Sequence, residues 1–304
     1  MSEIEAQWTQ KAYAKINLTL DVLGKRADGY HEVSMIMQAV SLHDTVVFHK
    51  RKSGISLSCD APDLPCDSGN LAFRAAELLQ QECGVAEGVH IDLVKRIPMA
   101  AGLAGGSSDA AAVLRGLNQL WQLRLGRLEL EQLAARLGSD VPFCLWGGTV
   151  QATGRGENLD PLADYAGIGV VLAHPPIQVS TAWVYGRFSQ LQTAGAKHNA
   201  AMRQALDQRD FPAVAANLFN ALESVTEPAY PQISAIKQAM LEAGAGGVLM
   251  SGSGPTLFAL TPDRLSAEQL AARLSLGPDV TILTAETVAR EEQINVPSII
   301  TGQA

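Results

Sequence analysis

Apolar residues recur along this chain first at every second position and later at every third or fourth, and the changes of period mark its elements. Between residues 12 and 22, Ala12, Ala14, Ile16, Leu18, Leu20 and Val22 alternate with Tyr13, Lys15, Asn17, Thr19 and Asp21. That alternation predicts a half-buried strand whose polar face sets Lys15 beside Asn17. The turn-rich stretch GKRADGYHE follows, and β patterning resumes over residues 33–40, 45–48 and 55–59.

DSGNLAFRAAELLQQECG opens on polar capping residues, carries one apolar face and closes on Gly84, so it predicts a capped helix. VHIDLVKRI predicts a strand. From its end a glycine-rich loop leads into a second helix, SSDAAAVLRGLNQLW, with Val113, Leu114, Leu117, Leu120 and Trp121 along one side. LEQLAARLG predicts a third helix, ended by Gly138. The pattern changes at GGTVQATGRGENLDPL. A boundary within about ten residues of this stretch divides the chain into domains of residues 1–160 and 161–304. The second half predicts a strand at 170–173 and helices at about 180–186, 200–206, 213–222 and 232–243. GGVLMSGSGPTLFAL then reads as two short β runs around a Gly/Ser/Pro loop, followed by a helix near 266–274 and a strand near 280–283. The fold class is α+β rather than a regular βαβ alternation, and the end, INVPSIITGQA, is expected to be loosely held.

Composition narrows the function classes. A length of 304 residues favours two cores over one, and 47% hydrophobic with 18% charged residues suits a globular chain. The acidic start MSEIEAQWTQ lacks a signal-peptide core, and no apolar run approaches the roughly 18 residues of a membrane span. A cytoplasmic protein with no membrane partner is the expectation. A net charge of −8 argues against nucleic acid but not against a phosphorylated small molecule held by a few local groups. Charge and length fit a monomer or a weak homodimer. Cys59, Cys66, Cys83 and Cys144 are scattered without metal spacing and are expected to be reduced and mostly buried.

The candidate chemistry starts at IPMAAGLAGGSSDAAA. Gly102, Gly105 and Gly106 just ahead of a helix would aim backbone N–H groups outward at the positive end of its dipole. Glycine admits a ligand against the backbone, at an entropic cost of about 0.5–1 kcal/mol per ordered site relative to alanine. Ser107 and Ser108 add hydroxyl donors, or a ligand for Mg²⁺. The loop suits a di- or triphosphate, although tight strand–helix packing would ask for similar glycines. It is neither a Walker A loop, since Gly106 is followed by Ser107, Ser108 and Asp109, nor a G-x-G-x-x-G fingerprint. Asp140, in RLGSDVPF, reads as a helix N-cap or as a carboxylate base. Lys15 reads as a solvated lysine or as the cation beside that base. SGSGPT, residues 251–256, reads as a strand connection or as a second loop closing over the ligand.

With these residues in view the chain resembles the GHMP family of small-molecule kinases over nearly its whole length. AYAKINLTL resembles the family's first motif, PMAAGLAGGSSDAAA its ATP-phosphate loop and MSGSGPTLFAL its third motif. The resemblance implies an N-terminal domain like the second domain of ribosomal protein S5, a ferredoxin-like C-terminal domain, and ATP with Mg²⁺ as co-substrate and cofactor. Within the family, GKRADGYHEV, GLAGGSSDAA and GSDVPF resemble the members of the non-mevalonate isoprenoid route. Those act on the 2-hydroxyl of 4-diphosphocytidyl-2-C-methyl-D-erythritol. Asp140 would then be the base with Lys15 beside it, and Asn17 would hold the methylerythritol part. Tyr30 would stack on cytosine and His31 would bond its polar edge. Thr181 would contact the polyol, and Tyr185, in competition with Trp183, would be the second stacking ring. Pro98, Ala101, Gly102, Leu103, Ala104, Gly105, Gly106, Ser107 and Ser108 would surround the phosphates, with Asn70 near the adenine. Ser251, Gly252, Ser253 and Gly254 would face the acceptor. Ala104 stands where many relatives carry glycine, and no acidic Mg²⁺ ligand is evident apart from Asp140. The alternatives are another family kinase, acting on mevalonate, homoserine or a sugar, or a nucleotide sensor without catalysis.

Overall fold

The computed structural model describes residues 7–191, 198–290 and 298–299. Residues 1–6, and the C-terminal stretch apart from 298–299, lie outside the described residues. In chain order the first half runs β1 (Gln7–Lys25), β2 (His31–Arg51), β3 (Ile55–Cys59), α1 (Leu71–Cys83), β4 (Gly88–Val94), α2 (Gly105–Leu120), α3 (Arg127–Leu137), α4 (Val141–Trp146), β5 (Thr149–Gly154) and β6 (Asn158–Pro161). The second half runs β7 (Gly169–His174), α5 (Thr181–Phe188), α6 (Asn199–Asp207), α7 (Phe211–Ala216), β8 (Phe219–Asn220), α8 (Glu223–Ala229), α9 (Pro231–Glu242), β9 (Gly247–Met250), β10 (Leu257–Thr261), α10 (Arg264–Arg273), β11 (Thr281–Glu286) and β12 (Ser298–Ile299).

The first sheet is organised by β2. It pairs with β1 along one edge, and on the other with β4 at residues 45–51 and with β5 at residues 33–38. The sequence suggested two strands here, because Ser41, His43 and Asp44 interrupt the apolar pattern. The strand continues because the β1–β2 register slips between Tyr13 and Lys15, whose partners are His43 and Ala39. A local irregularity absorbs the extra β2 residues and the ladder resumes. The second sheet has the order β11-β7-β10-β9, all antiparallel. With α9 before β9 and α10 after β10, this is the β-α-β-β-α-β order of a ferredoxin-like unit. Two late segments return to the first sheet: β8 pairs in parallel with β1 at Thr19 and Leu20, and β12 pairs with it at Trp8 and Thr9.

Several local expectations change. Residues 12–22 are buried on both faces, not one. Thr19 Oγ1 donates to Asn199 Oδ1 (2.5 Å) and Asp21 accepts from His198, so elements of the second half cover the polar side. The helix expected over 213–222 stops at Ala216, because Phe219 and Asn220 extend alongside β1. Asn220 Nδ2 there donates to the Met250 and Gly252 carbonyls at 2.7 Å. Tertiary bonds have overridden the helical propensity of that stretch. The four cysteines are free, but Cys144 alone is buried, Cys59 and Cys83 are half-buried, and Cys66 is exposed. Helix α1 behaves as its sequence implies. Asn70 caps it by accepting from the Ala72 N–H at 2.9 Å, and Gly84 closes it in the left-handed region at φ 62°.

Helix α2 is buried nearly all round rather than along one side: every residue from Ser108 to Asn118 is inside. It lies among the sheet, α1, α3 and α4. Its mid-helix Gly116 is explained by contact, since a Cβ there would sit 2.4 Å from the ring of the fully buried Phe48. Gly116→Ala should therefore lower stability by about 1–3 kcal/mol through overpacking, despite alanine's better helix propensity. Chemical denaturation checks this. An unchanged midpoint would mean that α2 can move off the sheet.

Candidate active site

Helix α2 starts where the β4 chain, after Ile97 and Pro98, bends through two left-handed alanines, Ala100 (φ 50°) and Ala104 (φ 59°), with Gly102 at φ 76° between them. Ala104 is the residue before the helix and makes no side-chain cap. The left-handed region costs a Cβ-bearing residue about 1–2 kcal/mol, so the surroundings hold the loop in this form. Those surroundings are the second glycine loop, between β9 and β10. Gly102 touches it so closely that a Cβ would lie 2.1 Å from the Ser251 carbonyl oxygen. Ser251 Oγ donates to the Gly102 carbonyl at 3.0 Å.

A cleft of about 1120 Å³ opens beside this contact. Lys15 and Asn17 enter its floor from β1. Lys15 is 4% exposed; its Nζ donates to Asn17 Oδ1 at 2.8 Å and to the Gly102 carbonyl at 3.0 Å. Asp140, just ahead of α4, places Oδ2 3.8 Å from the same ammonium. Asp140 makes no capping bond to the helix it precedes, so its carboxylate is left for the cleft. The expected alternatives of a solvated lysine and an N-cap aspartate do not hold.

At the other end of the cleft stand the residues of the RADGYH stretch. Tyr30 is 54% exposed, with the Arg155 guanidinium 4.8 Å from its ring centroid. His31 stands 4.9 Å from the Tyr185 ring, centroid to centroid, and its Nε2 is 2.6 Å from Ser189 Oγ. Burial, with Lys25 adding, lowers the His31 imidazole below its ordinary value, so it is neutral at pH 7. Burial, with Asp140 adding, raises the Tyr185 phenol. Trp183 turns instead to Tyr230, edge to face at 6.1 Å, and does not line the cleft. Thr181 Oγ1 and Ser253 Oγ lie 2.9 Å apart, joining α5 to the second glycine loop.

Not every residue of the two loops faces the cleft. Pro98, Ala101, Gly102, Ala104, Gly105, Gly106 and Ser107 line it, as do Asn70, Gly252, Ser253 and Gly254. Three expected members point inward. Leu103 packs in the core while its carbonyl accepts the Lys15 N–H at 3.1 Å. Ser108 is 1% exposed and gives its hydroxyl to the Tyr13 carbonyl at 2.6 Å, and Ser251 gives its own to Gly102. Ser108 is thereby lost as a phosphate or Mg²⁺ ligand, while the Ser107 side remains on the cleft. Among the described residues no three His, Cys, Asp or Glu side chains gather to cage a metal. Such a donor set fits a divalent ion that arrives on a nucleotide's phosphates, not one held by the protein alone.

Sequence reasoning missed Arg155, and also a buried charge cluster behind the first glycine loop. Lys95 Nζ donates to Asp109 Oδ2 at 2.6 Å and to Asp44 Oδ2, while Asp109 Oδ1 is buried without a partner. Lys95 and Asp109 both reach the cleft wall. Their spacing to one another spans a strand end, a loop and a helix turn, so no local pattern could pair them. Burial above all, with Asp44 adding and Lys95 opposing, raises the Asp109 carboxyl to about 7. A carboxyl raised in this way stays protonated in the folded state after the unfolded chain has released its proton. The folded state therefore loses stability as pH rises from about 4 to about 7. Asp109→Asn should melt higher than wild type at about pH 8, by about 2–4 °C for each kcal/mol regained, and show no advantage near pH 4.5. Thermal unfolding at the two pH values checks this; parallel curves would show that Asp109 ionises normally.

Known proteins resemble this chain in sequence and in fold. The profile described as GHMP kinases N terminal domain matches residues 70–148, and that described as GHMP kinases C terminal matches residues 202–277. The chain is 53% identical over 268 residues to a 4-diphosphocytidyl-2-C-methyl-D-erythritol kinase of Synechococcus sp., covering 85% of this chain and 86% of that one. It is 46% identical over 282 residues to the protein of the same name from Gloeobacter violaceus, covering 91% and 93%. A crystal structure of 4-(cytidine 5'-diphospho)-2C-methyl-D-erythritol kinase superposes with a TM-score of 0.79 at 35% identity, covering 92% of this chain and 98% of that one. Homoserine kinase from Cytophaga hutchinsonii shares the fold at 19% identity, with a TM-score of 0.75 and 99% of each chain covered.

Proposed function

The chain belongs to the GHMP kinase family, and we propose that it transfers the γ-phosphoryl group of ATP to the 2-hydroxyl of 4-diphosphocytidyl-2-C-methyl-D-erythritol, a step toward isoprenoid precursors. Relatives that carry this activity in their names cover most of the chain at about half identity, which supports this acceptor over mevalonate, homoserine or a sugar. The observation that carries the reading is the pair Lys15–Asp140, 3.8 Å apart in a cleft between two glycine loops. A sensor would need neither group. In this reading the protein would act in the cytoplasm, as a monomer or weak homodimer without a nucleic-acid partner. Among the described residues no helix is long and apolar enough to cross a membrane.

Phosphoryl transfer asks a protein mainly for position and charge. Backbone N–H groups of Gly105, Gly106 and Ser107 at the start of α2 would receive the phosphates, at the positive end of a 16-residue helix. Asp140 would accept the proton of the acceptor hydroxyl as its oxygen bonds to the γ-phosphorus and the bond from phosphorus to the β-bridging oxygen breaks, releasing ADP. The Lys15 ammonium, fixed by Asn17 and Gly102, would stabilise negative charge on the attacking oxygen and neutralise charge on the transferred group. Mg²⁺ would supply further neutralisation of the phosphates, with the Ser107 hydroxyl and Asp140 as the groups that could hold it. Tyr30 and Tyr185 would take the cytosine face and His31 its edge, and Arg155 would put a cation beside the cytidine diphosphate. Asn17 and Thr181 would hold the polyol.

ADP release with ATP, Mg²⁺ and the cytidylylated acceptor, against mevalonate, homoserine and galactose in parallel, tests the reading. Turnover with the cytidylylated acceptor alone is expected, and turnover with another would reassign the specificity. Asp140→Asn should lower kcat by about 10²–10⁴ with folding intact; a wild-type kcat would remove the base assignment.

Loss of one base–aromatic stack, about 1–3 kcal/mol, predicts that Tyr30→Ala raises KM for the acceptor roughly 5- to 150-fold and leaves KM for ATP little changed. Equal losses for both substrates would contradict a cytosine role.

A further inference from the structure

Arg115 sits in the middle of α2, 8% exposed, and among the described residues no carboxylate pairs with it. Its Nη1 donates to the carbonyls of Cys144 (2.7 Å) and Leu145 (2.9 Å), and its Nη2 donates to the carbonyl of Lys11 at 3.1 Å. Nε is buried without a partner. The Cys144 and Leu145 carbonyls belong to the last turn of α4, the negative end of that helix, whose final carbonyls have no partner within it. Two turns earlier on the same face of α2, Ser108 repeats the pattern. It donates to the Tyr13 carbonyl at 2.6 Å and lies 3.3 Å from Cys144 Sγ. One helix is thus bonded twice to the same two partners, β1 and α4.

Those three elements carry the three parts of the site. Helix α2 begins at the phosphate loop, α4 begins directly after Asp140, and Lys15 lies four residues beyond Lys11 on β1. Helix α4 is six residues long, Asp140 makes no side-chain cap to it, and Val141, Phe143 and Leu145 pack it into the core. The guanidinium adds directed bonds at its other end. Packing alone would not call for a cation there, because burying one is costly and an apolar side chain of similar volume is often as stable or more so. What a planar fork offers instead is direction: two carbonyls of one element and one of another, held at fixed angles.

We propose that Arg115 is a positioning residue for phosphoryl transfer, setting the approach of Asp140 to Lys15 by tying α4 to β1 across the phosphate-loop helix. The proposal rests on the reading of Asp140 as base. Misplacement of a reacting group by about 1 Å can cost about a hundredfold in rate. Arg115→Lys keeps a buried cation but loses the fork, and it should lower kcat about 10- to 100-fold while both KM values stay within about threefold of wild type.

The deciding measurement is a double-mutant cycle in steady-state kinetics of the full chain with ATP, Mg²⁺ and the cytidylylated acceptor. In the Asp140→Asn background, Arg115→Lys should cost less than about threefold in kcat, because the group it positions is already gone. A kcat near wild type for Arg115→Lys, a loss confined to KM, or the same fold-loss in both backgrounds would overturn the proposal. If Arg115→Lys does not fold, Arg115→Gln, which leaves no buried charge, carries the same cycle. Failure of both to fold would assign Arg115 to folding and overturn the proposal equally. A wild-type kcat for Asp140→Asn alone would instead remove the base reading. A low kcat there beside an active Arg115→Lys would leave that reading standing and remove only the positioning role.

Discussion

The arrangement of the site depends on one carbonyl oxygen. The Gly102 oxygen accepts from Lys15 Nζ and from Ser251 Oγ, so a strand of the first sheet, the first glycine loop and the second glycine loop meet at a single atom. The contact leaves no room for a side chain: a Cβ on Gly102 would overlap the Ser251 backbone. It also orients the ammonium. With two of its protons committed to Gly102 and Asn17, Lys15 has its remaining direction set by the protein and not by solvent. A flexible lysine becomes a fixed charge, and the carboxylate 3.8 Å away inherits a defined electrostatic partner.

Around that point the polar groups inside the fold are mostly in use as ties between elements. Asn220 binds one carbonyl at the end of β9 and one in the second loop, and Ser108 and Arg115 bind β1 and α4 to α2. Asp44 accepts from the Arg96 and Ile97 N–H groups where the chain turns toward the first loop. Each tie satisfies a backbone group that irregular structure would otherwise bury unpaired. Irregular loops can therefore sit inside the molecule, pressed against one another, without an open ladder of unmet donors.

Much of this was legible from the sequence, and for identifiable reasons. The alternation in β1, the capped α1 and the two β runs around SGSGPT are local signals, and local physics produced them. Lys15, Asp140 and the two glycine loops were singled out because phosphoryl transfer needs those residue types. What could not be read was anything set by distant pairing. The helix expected at 213–222 gave way to β8 because β1 offered it a partner, and the polar side of β1 was covered by residues some 180 positions away. Ser108 and Ser251 looked like ligand groups by type, yet each turned inward to a carbonyl that no sequence pattern announces. Asp109 and Arg115 sat in an alanine-rich helix whose apolar side suggested an exposed opposite face, whereas neighbours on every side closed over it.

The return of β8 to β1 bears on how the chain is made. Strand β1 is synthesised first, but its outer edge at Thr19 and Leu20 is not paired until Phe219 and Asn220 have emerged, and its edge at Trp8 and Thr9 waits for Ser298 and Ile299. At typical synthesis rates of about 5–20 residues per second, that leaves an open strand edge on the nascent chain for about 10–40 s before β8 arrives. An unpaired edge of this kind is a template for pairing with other chains. The sheet that holds Lys15 is thus completed last, and until then its first strand keeps an edge open to other chains.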